Sequence, residues 1–103
     1  MKSIHDRIKK VGREISVNLT DCQQSPLGRI IGNLYYQKDA IVDLAPNCTG
    51  YPHNGGQHTM NVRGSKGDVT AFLELVRDAY KGYSHMKEGV SEIEGILAAV
   101  VSH

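Results

Sequence analysis

Apolar side chains recur every three or four residues through the last third of the chain, and this periodicity constrains the fold most strongly. Such spacing places apolar side chains on one face of an α-helix. It predicts one helix after residue 68 and a second helix near the end of the sequence. Each apolar face needs another layer to cover it, so the earlier residues must supply that layer. The two stripes comprise Val69, Phe72, Leu73, Val76, Ala79, Tyr80 and Tyr83, then Val90, Ile93, Ile96, Leu97, Val100 and Val101.

The earlier residues follow a different apolar period. Apolar and polar residues alternate over residues 13–20 and again over 57–63, which is typical of half-buried strands. Residues 29–36 and 41–44 are rich in strand-forming side chains, and the short polar stretch between them predicts a β-hairpin. Helical spacing over residues 3–11 predicts a short first helix. We therefore predict an α+β fold with a small antiparallel sheet of about four strands, in the order α-β-β-β-β-α-α.

Length, charge and hydropathy limit the class of protein. A chain of 103 residues predicts a single domain over 1–103. The net charge of +1 argues against a strongly basic nucleic-acid binder and against an acidic mimic of DNA. The apolar run at 96–101 is too short to span a bilayer, and no apolar leader opens the sequence. We therefore expect a cytoplasmic protein without membrane contact, in which Cys22 and Cys48 are thiols.

A glycine-rich turn between a predicted strand and a predicted helix is the first candidate ligand site. Free backbone N–H groups and the helix dipole can hold an anion there, and two basic side chains add positive charge. A nucleotide or a nucleic-acid segment could bind through its phosphate. The alternative is ordinary turn chemistry, in which Ser65 or Asp68 caps the helix and Asp68 repels an anion. The turn consists of Arg63, Gly64, Ser65, Lys66, Gly67 and Asp68.

Four residues of this turn, from Gly64 to Gly67, resemble the loop with which KH domains clamp single-stranded nucleic acid. In that family the loop joins two helices, whereas an alternating strand precedes it here. A basic turn before a late helix also resembles double-stranded-RNA-binding domains, but their lysine cluster is missing. We therefore transfer no function from either family.

Thiol and imidazole side chains give two further candidates. Cys22, Cys48, His53 and His58 are of the types that bind zinc, but no two of them have the close spacing of zinc motifs. Cys48, a histidine and Asp43 are of the types used in nucleophilic catalysis, but no nucleophile motif is present. We therefore assign no metal, no cofactor and no catalytic residue, and expect a protein that is not an enzyme.

Two surfaces favour an interaction protein instead. Tyr51, His53 and Asn54 lie in a stretch rich in glycine and proline, which predicts an exposed interaction loop. The last apolar stripe is wider than a small sheet with one other long helix can cover, and pairing of two copies would bury it. The residues predicted for that dimer interface are Ile93, Ile96, Leu97, Val100 and Val101.

These observations favour a small regulator, inhibitor or adaptor that acts as a homodimer on an unknown protein partner. The alternative is a protein that binds a nucleotide or nucleic acid through the glycine-rich turn at residues 63–68. The first function predicts pairing without a bound ligand, whereas the second predicts stabilisation by nucleotides.

Overall fold

The computed structural model describes residues 4–36 and 60–103, which form an α+β fold as predicted. None of the helices in these ranges is both long enough and apolar enough to cross a bilayer. Short 3-10 helices at His5–Arg7 and Ser84–Met86 accompany the main elements. The main elements are β1 (Ile8–Val11), β2 (Glu14–Asn18), α1 (Pro26–Tyr36), β3 (Asn61–Gly64), α2 (Lys66–Tyr80) and α3 (Lys87–Val101).

The described strands form an antiparallel sheet in the order β1-β2-β3. Ile8 lies opposite Val17, and Val17 lies opposite Val62, so one row of buried side chains crosses all three strands. Alternate residues point to opposite faces of a sheet. The exposed face therefore carries Lys9 and Arg63, while the helices cover the apolar face. Helix α2 contacts both β2 and β3, and α3 packs against α1 and α2.

A two-residue turn at Gly12 and Arg13 joins β1 to β2. Gly12 has a φ of 63°, and no other described residue has a positive φ. A positive φ at the first central position only is the pattern of the type II′ turn, which takes glycine there. The predicted helix over residues 3–11 is thus wrong, because this turn pairs Val11 with Glu14 and makes a strand of Ile8–Val11.

The predicted strand over residues 29–36 is also wrong, because these residues belong to α1. Proline suits the first helical position, and Pro26 occupies it. The Ser25 Oγ accepts a hydrogen bond from the Gly28 N–H at 2.9 Å, which caps the helix. The hairpin predicted with residues 41–44 fails with its first strand, and residues 41–44 lie outside the described ranges. Helix α1 buries one face at the helical spacing of Leu27, Ile30, Ile31 and Leu34.

Both helices predicted in the last third are confirmed. The apolar stripe proposed as a dimer interface, however, is mostly covered within the single chain. Helices α1 and α2 both pack on α3, and four of the five proposed interface residues are buried within the single chain. Only Val101 is exposed, at 53%. Helix α1 packs on the apolar face of α3, which the sequence analysis had left partly uncovered. The homodimer therefore stays a prediction, but it no longer has an uncovered apolar face to support it. The buried four are Ile93, Ile96, Leu97 and Val100.

Helices α1 and α3 approach closely at Gly89. A Cβ atom there would lie 2.6 Å from the carbonyl oxygen of Pro26 and 2.6 Å from the Cδ1 atom of Ile30. Both distances are too short for a non-bonded contact, so this crossing requires glycine. The close approach brings the first turn of α1 beside residues 81–86, which connect α2 to α3.

Candidate functional site

Three of the polar side chains in the 63–68 turn form hydrogen bonds with other side chains or backbone groups of the chain. Ser65 caps α2: its Oγ accepts a hydrogen bond from the Asp68 N–H at 3.1 Å and donates one to Asp68 Oδ2 at 2.8 Å. The Asp68 carboxylate therefore lies in the first helical turn, where the dipole already favours negative charge. Gly64 is buried at the end of β3, and Lys66 and Gly67 are exposed.

Arg63, the other cation of this turn, is already paired. Its Nε donates to the Glu14 Oε1 at 2.7 Å across the exposed face of the sheet. The structure therefore brings Arg63 and residues 64–68 to one end of the sheet. The Glu14 carboxylate already pairs with the arginine, and the Asp68 carboxylate already lies at the helix start. This arrangement matches the capping alternative more closely than an anion site.

Several predicted site residues lie outside the described ranges. These are the interaction-loop residues, most of the candidate thiol and imidazole ligands and the candidate catalytic carboxylate: Asp43, Cys48, Tyr51, His53, Asn54 and His58. Cys22 is described, and it is an exposed free thiol. Within the described ranges, no group of three histidine, cysteine or acidic residues is arranged to hold a metal ion.

A groove that the sequence did not predict runs between α1 and the connection from α2 to α3; we call it the α1 groove. Its first half is a cleft of about 180 Å³. The Tyr80 hydroxyl donates a hydrogen bond to the Asn33 Oδ1 at 2.7 Å across this cleft. The Tyr83 ring centroid lies 6.3 Å from that of Tyr80 and 5.9 Å from that of His85, which it meets edge to face. The cleft is lined by Asn33, Ala79, Tyr80, Tyr83, His85 and Met86.

The aromatic side chains of this cleft differ in exposure. Tyr80 is only 5% exposed and forms the floor, whereas Tyr83 is 55% exposed at the rim. Burial, with a smaller contribution from Tyr83, raises the pKa of Tyr80 to about 12. The phenol therefore stays protonated at neutral pH, and its O–H group can donate the hydrogen bond to Asn33. The floor is fixed by this hydrogen bond, and the exposed rings of Tyr83 and His85 remain accessible above it.

The second half of the α1 groove is charged. It is a cleft of about 370 Å³ that shares His85 with the first half, which places the two halves next to each other on either side of that residue. Arg29 and Lys87 are exposed, and no ion pair within residues 4–36 and 60–103 engages either of them. Glu88 is the single acid of this half. The lining residues are Pro26, Arg29, Ser84, His85, Lys87 and Glu88.

A buried cluster around Arg7 is the strongest polar network that the sequence did not predict. The Arg7 side chain is 3% exposed and donates to the carbonyl oxygens of Asn18 and Thr20 at 3.1 and 2.9 Å. It also pairs with Asp21 at 3.2 Å. On α3, burial is the main cause that raises the pKa of Glu92, and the nearby Asp21 adds to it. The buried guanidinium makes three hydrogen bonds to the chain itself, so this cluster stabilises the fold.

Comparison with known protein families, with curated proteins and with solved structures found no match. The function is therefore argued from the residues of this chain. The sequence did contain one signal for the α1 groove: Tyr83 ends the first predicted helical stripe, and His85 falls in the break before the second stripe. Arg29 and Asn33 could not be placed beside them, because residues 29–36 resembled a strand.

Proposed function

We propose that the protein is a non-enzymatic interaction module, a regulator or adaptor, that binds a short extended segment of a partner protein in the α1 groove. The exposed Tyr83 carries this proposal, since it stands at the rim between a buried tyrosine and an exposed histidine. Tyrosine and arginine are enriched among the residues that dominate binding energy at protein interfaces. Tyr83 and Arg29 supply both types in one groove.

The size of the α1 groove favours a segment over a whole folded domain. Clefts of about 180 and 370 Å³ hold a few side chains each. Aromatic-lined grooves of this kind dock extended peptides, whose backbone needs no partner strand or helix. The rigid floor at Tyr80 supports this mode, because binding then orders few additional protein groups.

Selection from a random peptide library tests the proposal. We expect the wild-type protein to select peptides that share a residue pattern and that bind Tyr83→Ala at least about tenfold more weakly, as for a residue that dominates an interface. Val101→Ala is the matched control, because Val101 is exposed to a similar extent, 53%, at the end of α3. Peptides that bind Tyr83→Ala as tightly as the wild type would overturn the proposal. Circular dichroism verifies that both variants are folded.

The homodimer is a separate proposal. Among the five residues predicted at its interface, only Val101 is exposed. Light scattering of the purified protein decides it: a mass twice that of the 11.3 kDa chain supports pairing, and a mass of one chain overturns it.

A further inference from the structure

We infer that the partner segment contains a proline and, about two to three positions away from it, an acidic residue. This inference rests on the proposed function of the α1 groove. The inference draws on the chemical difference between its two halves. The first half is lined by the rings of Tyr80, Tyr83 and His85, and the second carries Arg29 and Lys87. A ligand that fills both halves therefore needs a ring-contacting group at one end and negative charge at the other.

The ring-lined half suits proline. Proline packs flat against aromatic rings, and proline-rich segments already hold the extended polyproline II conformation, so little conformational entropy is lost on binding. The backbone carbonyls of such a segment are free to accept hydrogen bonds. Asn33 uses its Oδ1 as the acceptor for Tyr80, which leaves the side-chain N–H2 group to donate to a ligand carbonyl.

The charged half suits a carboxylate. Arg29 and Lys87 face one acid, Glu88, so this half carries a net positive charge in an otherwise nearly neutral protein. Neither cation has an ion-pair partner among the described residues, so a ligand carboxylate would replace no ion pair within residues 4–36 and 60–103. Such complementarity favours one partner over others more than it adds affinity.

The distance between the halves sets the spacing of the motif. Arg29 and Asn33 are four residues apart on α1, which is about 6 Å along the helix axis at 1.5 Å per residue. A polyproline II segment rises about 3.1 Å per residue. Two residues of ligand therefore span the distance from the ring-lined half to the charged half.

The experiment is peptide selection on three forms of the protein: wild type, Arg29→Gln with Lys87→Gln, and the matched control Lys66→Gln. Lys66 is exposed in the 63–68 turn. We expect wild-type peptides to be enriched in proline with aspartate or glutamate two or three positions away. The double variant should keep the proline and lose the acidic preference. Peptides from the wild-type selection should bind the double variant about five- to tenfold more weakly, as the loss of two exposed charge contacts predicts.

Each result separates this inference from the proposed function. Peptides that depend on Tyr83 but carry no proline or no acid would overturn the inference and leave the groove as the binding surface. An equal loss of affinity in Lys66→Gln would show attraction of any anion to the surface, and would also overturn it. Selected peptides that bind independently of Tyr83, or the absence of any selected peptide, would overturn both.

Discussion

The α1 groove and the 63–68 turn both present cations and exposed polar groups, but they differ in whether the chain itself engages them. In the turn, Arg63 pairs with Glu14, and Ser65 and Asp68 satisfy each other at the start of α2. In the groove, Arg29 has no ion-pair partner among the described residues, and the exposed Tyr83 lies at its rim. Most of the turn's charged groups are thus engaged by the described residues, with Lys66 as the exception, whereas both cations of the groove are without an ion pair there. A charged group that has no such partner can bind a ligand without first losing an internal contact.

The largest expected effect is a loss of folding stability at high pH, when Tyr80 at the floor of the groove ionises. An unfolded tyrosine ionises near pH 10, whereas folded Tyr80 ionises near pH 12. The native state therefore keeps a proton that the unfolded state has lost, and stability present below pH 10 is lost as the pH rises to 12. The loss should reach on the order of 2–3 kcal/mol, at about 1.4 kcal/mol per pH unit.

Urea unfolding at intervals between pH 9 and 12 measures this loss. Tyr80→Phe is the control, since it lacks the ionising group and loses only the hydrogen bond to Asn33. We expect Tyr80→Phe to be the less stable protein at pH 8 and to lose less stability above pH 10. Parallel pH curves for the two proteins would show that Tyr80 is not a buried, protonated floor.

The next effect concerns the helix crossing that forms the groove wall. Gly89→Ala places a Cβ atom 2.6 Å from the Pro26 carbonyl oxygen, a backbone atom that can move only with α1. Overpacking of this kind costs about 1–3 kcal/mol, and the better helix propensity of alanine returns about 1 kcal/mol. We expect a net loss near the upper end of the resulting range, about 2 kcal/mol in the free energy of unfolding, because the clash is with a backbone atom, together with weaker peptide binding.

Gly82→Ala is the matched control for the crossing, because no atom lies within 4 Å of a Cβ built at that position. Its stability should stay within about 0.5 kcal/mol of the wild type. Chemical denaturation compares the two variants. Equal stability of Gly89→Ala and Gly82→Ala would mean that α1 and α3 do not cross this closely.

A smaller effect tests the structural role of the 63–68 turn. Ser65→Ala removes the cap of α2 and should cost about 1 kcal/mol of stability, while Lys66→Ala should change it by less than about 0.5 kcal/mol. Neither change should alter peptide binding in the α1 groove. Millimolar ATP should leave the melting temperature of the wild type unchanged. A rise that disappears in Lys66→Glu would restore the phosphate-binding alternative for this turn.

The smallest effect concerns the ion pair of the same turn. The side chains of Arg63 and Glu14 are 47% and 45% exposed, so solvent screens their attraction. A double-mutant cycle with Arg63→Gln and Glu14→Gln should give a coupling below about 0.5 kcal/mol that falls with added salt. A coupling of several kcal/mol would indicate a more buried arrangement than the one described.

Sequence reasoning predicted α2, α3, β2 and β3, because each has a long or regular apolar period. It missed α1, although Leu27, Ile30, Ile31 and Leu34 have helical spacing. Strand-forming residues and glycines concealed that spacing. One of these glycines, Gly28, is required by the turn before α1, since a Cβ there would clash with the Cys22 carbonyl oxygen.

The α1 groove could not be predicted for the same reason. Its walls come from α1 and from residues 79–88, and α1 is held against this part of the chain by the close helix crossing at Gly89. A single glycine in a helical stripe does not reveal which helix it faces. The capping of α2, by contrast, was one of the two predicted alternatives for the 63–68 turn, because Ser65 and Asp68 are only three residues apart.

The most direct test of the central claim is nuclear magnetic resonance of the ¹⁵N-labelled protein during titration with a peptide from the wild-type selection. We expect the amide signals of Arg29, Asn33 and residues 83–88 to shift with peptide concentration, while those of residues 63–68 do not. Shifts confined to residues 63–68, with the groove signals unchanged, would contradict this claim and move the binding surface to the turn between β3 and α2.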